Sequence, residues 1–170
     1  LAKKYDGKFI LRFEDTNPEL AEEEFYRIHL DNYEWLGTKP DKIDFASDHM
    51  GEFYRYAEKL INENHAYICP CSQEKTKENR KNGAECEHRY YQPDKNLELW
   101  KEMFKAKAGR MVLRLKGNMQ SPNSTLRDPA IFRIIDEPHP RQKKKYRVWP
   151  MYDFENAIMD GIEGVTHRLR

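Results

Sequence analysis

Cys69 and Cys71 in "CPC", followed after "SQEKTKENRKNGAE" by Cys86 and His88 in "CEH", are the residues of this chain with the clearest chemistry. Two close pairs of soft donors around a short connection suit a tetrahedral zinc site with three thiolates and one imidazole. The one-residue gap inside each pair is tighter than the commoner Cys-x-x-Cys. Free thiols and a disulfide are the alternatives, and a cytosolic chain disfavours the disulfide. The connection itself holds almost nothing apolar, so burial cannot order it. A structural zinc, worth roughly 10–16 kcal/mol of apparent binding in small modules, would.

A second set of reactive side chains is spread along the chain. "KFILRFEDTNPE" runs an apolar strand into Glu14 and Asp15, Tyr152 follows "YRVWP", and Arg170 ends "GVTHRLR". Ligands of open parallel sheets bind beyond the carboxyl ends of the strands, so a carboxylate, a phenol and a guanidinium can converge on one crevice. Such a set suits a zwitterion with an additional carboxylate: Glu14 for the ammonium, Arg170 and Tyr152 for a carboxylate. On spacing alone, the plainer reading of Glu14 and Arg170 as unrelated surface groups stands ahead. No Gly-rich phosphate loop and no Ser/His/Asp or Cys/His arrangement points to covalent catalysis, and His167 reads as a core residue of a strand.

These residues need elements to position them. Residues 9–13 are nearly continuously apolar, the pattern of a strand covered on both faces in a parallel sheet. Asn17 then reads as a helix N-cap, with Pro18 at the first helical position and Ala21, Phe25, Ile28, Asn32 and Trp35 at helical spacing. A second helix is predicted over residues 47–64, with Met50, Phe53, Ala57, Leu60 and Ile61 on one side, and the strand "AYIC" follows. From Cys69 to Pro93 polar residues dominate. A helix carrying Leu97, Trp100 and Phe104 comes next, then strands over residues 111–116 and 131–135. After the basic stretch "RQKKKYR", Asp153 can cap a helix bearing Phe154, Ile158 and Ile162, before a last strand over residues 165–170. The order implies an α/β layer, an inserted module, and a return to the layer.

At 170 residues with 38% hydrophobic content, the chain suits one ordinary domain with room for an inserted module. A formal net charge of +1 excludes a global field that would announce nucleic acid. The charge is uneven, however: acidic groups crowd residues 14–34, and basic groups crowd residues 101–116 and 141–147. Such runs are most often solvated surface. No apolar run reaches transmembrane length and no signal-peptide pattern appears, so the chain reads as soluble and cytosolic, without a membrane partner. Both ends look cut from a longer protein.

"LRFEDTNP", "EWLG", "PMYDF" and "GVTHRLR", in this order, resemble the catalytic core of the glutamyl- and glutaminyl-tRNA synthetases, which are class I aminoacyl-tRNA synthetases. "LRDPAIFRIIDEPHPR" and "KYRVWP" are similar to the branch that archaeal and eukaryotic glutamyl enzymes share with glutaminyl enzymes. The resemblance implies a class I Rossmann-type catalytic domain over residues 1–68, an α+β acceptor-stem-binding insertion over residues 69–145, and a return to the catalytic domain over residues 146–170. It implies that Glu14 binds the α-ammonium group of the amino acid, that Tyr152 contacts its side chain, and that Arg170 pairs with a γ-carboxylate. Asp15, Thr16 and Asn17 would line the path of the tRNA 3′ end. The cysteine loop is similar to a zinc site of some glutamyl enzymes.

The expected reaction is ligation of L-glutamate to tRNA(Glu) through a glutamyl adenylate, with ATP as substrate and Mg²⁺ accompanying it. The insertion is expected to bind the tRNA acceptor arm through Arg127, Lys143, Lys144 and Lys145. "PMYDF" and "FEDTNP" have a glutaminyl flavour, but a buried Arg facing a neutral amide would lose its charge partner, at about 2–5 kcal/mol, which favours glutamate. The phosphate-binding His-Ile-Gly-His and Lys-Met-Ser-Lys-Ser motifs are absent and are expected upstream of Leu1 and downstream of Arg170, so the isolated chain is expected to be inactive. The alternatives are a glutaminyl enzyme, an enzyme that places glutamate on a modified base inside tRNA, and a non-enzymatic zinc-bearing tRNA-binding module.

Overall fold

The structure, a computed structural model, describes residues 1–169. Strand β1 (Ile10–Phe13) pairs in parallel with β2 (Lys42–Phe45), Phe13 lying opposite Phe45. Parallel neighbours need a crossover, and helix α1 (Glu23–Trp35) lies on it. Three rings lock the unit together: Phe13 stacks on Phe45 at 5.0 Å, and Tyr26 meets both edge-on at 5.1 and 5.3 Å.

This packing corrects two expectations. The inner face of α1 is Tyr26, Leu30 and Tyr33, while Phe25, Ile28 and Trp35 point outward, Trp35 at 84% exposure. Helical spacing alone admits both faces, and the ring contacts of Tyr26 decide between them. Asn17 is not the cap of this helix either. Its side chain accepts the Glu19 amide at 3.3 Å in a turn, and α1 starts at Glu23. Strand β1 itself is half-buried rather than covered on both faces, with β2 as its pairing partner among the described residues.

The remaining strands form an antiparallel sheet in the order β3 (Ala66–Cys69), β4 (Val112–Leu115), β5 (Ala130–Ile134), β6 (Val148–Pro150). Thus "AYIC" joins strands from much later in the chain rather than β1 and β2. Helix α2 (Met50–Asn62) covers the sheet with Met50, Phe53, Ala57 and Ile61, all fully buried. Their spacing of three and four is why the segment is helical. Helix α4 (Pro93–Met103) adds Trp100 and Met103, and its buried Asn96 accepts the Ile68 amide at 2.9 Å, satisfying the otherwise open edge of β3.

Three further expectations meet the structure. The polar connection between the cysteine pairs is helix α3 (Gln73–Asn82), not an unordered loop. It buries no residue. Ser72 accepts the Lys75 amide at 3.2 Å, Gly83 ends it at φ 66°, and Glu74 and the Arg80/Lys81 pair complement its dipole. Helix α5 (Tyr152–Glu163) is capped at Met151, so Asp153 sits inside the first turn, where its charge still faces the positive helix end. Residues 165–169 form no strand, because a strand exists only by pairing and no neighbour runs beside them among the described residues.

Candidate functional site

The edge at which β1 ends is built from two unlike carboxylates. Asp15 is buried and accepts the Ser47 amide at 2.8 Å, the Ser47 hydroxyl at 2.9 Å and the Tyr26 hydroxyl at 3.0 Å. It is a framework group. Burial, with the Asp15 charge second, raises the Tyr26 phenol well above its usual range, so Tyr26 stays a donor. Glu14, which accepts from Arg12 at 3.3 Å, keeps its side chain partly exposed at 24%.

Glu14 and Tyr152 meet on one guanidinium. Arg168 donates to the Glu14 carboxylate and, through the same nitrogen, to the Tyr152 hydroxyl at 2.8 Å. A carboxylate and a phenol that share a cation form a receptor for a positively charged group. Arg170, expected at this crevice from the family resemblance, lies outside the described residues. Arg168 escaped sequence reasoning; its only signal was the Arg-Leu-Arg alternation, which sends residues two apart to one side of an extended chain.

Arg12 was missed as well. Its side chain is almost buried and bonds Asp160 at 2.6 Å, Glu163 at 2.6 Å, Asn156 at 3.0 Å and Glu14 at 3.3 Å. Asn156, Asp160 and Glu163 recur at helical spacing on α5, so one arginine ties that helix to β1 and steadies the backbone before Glu14. Beside this edge lies a cleft of about 190 Å³ lined by Phe13, Glu14, Asp15, Asn17, Phe25 and Tyr26 among others.

Below the edge, Glu155 is fully buried in the first turn of α5, and neither carboxylate oxygen has a partner within hydrogen-bonding geometry. Burial raises its pKa to about 7; the nearby Thr16 hydroxyl pulls it down, and the charges of Glu14 and Asp15 push it up.

The four metal-type ligands come together from the end of β3, the link between β3 and α3, and the segment after α3. Cys69, Cys71, Cys86 and His88 present ligand atoms within 4.8 Å of one another. Cys69–Cys86 and Cys71–Cys86 sulfurs lie 3.8 and 3.4 Å apart, and His88 Nδ1 is 3.0 Å from Cys86 and 3.6 Å from Cys71. Zinc–sulfur bonds of about 2.3 Å in a tetrahedron place ligand atoms roughly 3.8 Å apart, so the donor set fits zinc. These separations also exclude disulfides, and all three cysteines are free. Burial pushes the Cys86 thiol up to about 12 and raises Cys71 as well, so a bound cation is what would favour their thiolate forms.

The residues expected to meet RNA have different surroundings. Arg127 donates to the carbonyls of Ser121 at 2.7 Å and Arg80 at 2.6 Å, and so completes the C-terminal end of α3. Lys143, Lys144 and Lys145 are exposed on a tight turn. That turn reaches the carboxylate edge: Arg141 and Gln142 each bond Asp48 at 2.6 Å, and Lys143 lies 3.4 Å from Glu23.

Residues 1–170 match the family model described as tRNA synthetases class I (E and Q), catalytic domain. The chain belongs to this family. Relatives of the synthetase chain include the glutamate–tRNA ligase of Pyrococcus horikoshii, 48% identical over 99% of the chain and 30% of the relative. The glutamate–tRNA ligase of Korarchaeum cryptofilum is 43% identical, with 99% and 32% covered. The bifunctional glutamate/proline–tRNA ligase of Cricetulus griseus is 44% identical, with 98% and 11% covered. The synthetase chain thus spans about a third or less of the length of these relatives. In fold it resembles the crystal structure of a glutamate tRNA ligase from Elizabethkingia meningosepticum in complex with its amino acid, with TM-score 0.67 at 20% identity, over 98% of this chain and 37% of that one. Among the described residues, no helix is long and apolar enough to cross a membrane.

Proposed function

We propose that this synthetase chain is the part of a glutamate–tRNA ligase that holds the amino acid and receives the tRNA acceptor arm. In the complete enzyme the α-carboxylate of L-glutamate attacks the α-phosphate of ATP, which enters with Mg²⁺. Pyrophosphate leaves, and the 3′-terminal ribose hydroxyl of tRNA(Glu) then attacks the glutamyl carbonyl of the adenylate, losing its proton and breaking the acyl–phosphate bond so that AMP leaves. The observation that carries the reading is the meeting of Glu14 and Tyr152 on one cation. An α-ammonium group satisfies the same carboxylate, and Tyr152 stands beside it for the side chain. Arg170 supplies the cation for the γ-carboxylate and selects glutamate over glutamine. Such chemistry needs positioned charge more than a protein nucleophile.

We also propose that residues 69–145 act as the acceptor-stem-binding insertion, with Lys143, Lys144 and Lys145 as phosphate contacts. The exposed lysines support this: they lie on a turn that reaches the Glu14/Asp15 edge through His139, whose ring bonds the Asp15 carbonyl. The role of Arg127 is then to hold α3 rather than to meet RNA directly. Cys69, Cys71, Cys86 and His88 hold a structural zinc, which supplies the folding energy that the apolar-poor segment around α3 lacks. The test is aminoacylation by the complete enzyme with glutamate and with glutamine, locating the product. Glutamate esterified to the terminal ribose supports the reading; glutamine preference, or glutamate on an internal base, overturns it.

A further inference from the structure

His139 is fully buried although it belongs to the turn that carries the lysines, and both of its ring nitrogens are in use. Nδ1 accepts the backbone amides of Arg141 and Gln142, each at 3.1 Å. A nitrogen that accepts two N–H groups carries no hydrogen, so the proton resides on Nε2. That nitrogen donates to the Asp15 carbonyl at 2.7 Å, and the Asp15 carboxylate lies 3.6 Å away. The ring stacks on Trp149 of β6, with centroids 5.1 Å apart. The turn is closed behind it by reciprocal backbone bonds between His139 and Lys143 at 2.8 and 2.9 Å.

One imidazole therefore grips the start of the basic turn with one nitrogen and the residue next to Glu14 with the other. We propose that His139, as the neutral Nε2–H tautomer, is a positioning residue that sets the basic turn in register with the Glu14/Asp15 edge. Acceptor-arm RNA bound on the turn is thereby held at a fixed place relative to the amino acid at Glu14; the identity of these two cargoes rests on the proposed function. Protonation would set a new N–H against two others. Burial works in the same direction and lowers the His139 pKa, while Asp15 and Asp48 oppose and Arg141 assists.

The two halves of the grip can be separated in the complete enzyme. In His139→Asn the short amide keeps an acceptor near the Nδ1 position but does not reach Asp15. In His139→Gln the longer amide keeps a donor toward Asp15 but loses the acceptor for the turn. Loss of one buried hydrogen bond corresponds to about tenfold. His139→Asn should lower kcat for transfer about tenfold with tRNA Kd within about twofold. His139→Gln should raise the tRNA KM about tenfold, leave the glutamate KM within about twofold, and lose hydrogen-exchange protection at the Arg141 and Gln142 amides. A merely structural loss would move kcat and the tRNA KM together in both variants, and that result overturns the proposal. Imidazole ¹⁵N shifts of the wild-type enzyme test it without any variant: protonated Nε2 and bare Nδ1 at neutral pH support it, and the reverse tautomer or a charged ring overturns it. A wild-type enzyme that charges no tRNA overturns the functional reading alone, leaving the tautomer and the amide protection to judge the joint.

Discussion

Glu155→Gln gives a perturbation whose size and sign follow from the geometry. The Glu155 side chain is fully buried without a partner for either oxygen, and its pKa rises from 4.5 to about 7, chiefly by burial. A shift of that size corresponds to about 3 kcal/mol at about 1.4 kcal/mol per unit. The sign follows from which state binds the proton more tightly, here the folded one. Below pH 4.5 the carboxyl is protonated in both states and contributes its full relative stability. As pH rises through the folded value of about 7 that contribution is lost, and above it the folded state carries the whole cost of a buried charge. Glutamine removes the ionisation and keeps the volume. Its unpaired amide adds a cost of about 1–3 kcal/mol, but one that does not depend on pH. The diagnostic quantity is therefore the slope. Denaturant unfolding of wild type and Glu155→Gln from pH 4.5 to 8.5 should show the variant gaining about 2–3 kcal/mol relative to wild type as pH rises. A difference that stays flat across this range would refute the reasoning, because Glu155 would then have a partner that holds its charge.

Protein purified without chelator should contain one zinc per chain, and Cys86→Ser should lower that content in elemental analysis; less than about a third of an equivalent in wild type would count against the site. Neutralising Lys143, Lys144 and Lys145 together should weaken tRNA binding and reduce its salt slope by up to about three, whereas Arg127→Ala should loosen the end of α3 and leave the slope in place. Arg170→Cys in the complete enzyme should lower kcat/KM for glutamate by two to three and a half powers of ten, about 3–5 kcal/mol for a stranded carboxylate, and affect glutamine much less. Glu14→Gln should harm both amino acids alike, since both present the same ammonium group; discrimination between them would sink that assignment.

The metal-type quartet was legible in the sequence because its signal is local, and Glu14 stood out by itself; that Glu14 and Tyr152 belong to one site came from the family resemblance, since 138 residues separate them. Soft donors in close pairs have few other uses, and a carboxylate at the end of an apolar strand stands out against its surroundings. The helical spacing of Met50, Phe53, Ala57 and Ile61 was equally direct, since one face of that helix is apolar and no other is. Packing decided the rest. Helix α1 has aromatic residues on two sides, so only the rings of Phe13 and Phe45 show that Tyr26 turns inward and Phe25 outward. "AYIC" reads as a strand from its residues, but which strands flank it depends on chain that arrives much later. Arg168, Arg12 and His139 act across 154, 148 and 124 residues of sequence respectively, toward Glu14, Asp160 and Asp15. Sequence spacing states what a side chain can donate or accept; which of these offers meets a partner is set by the fold that removes water from around them.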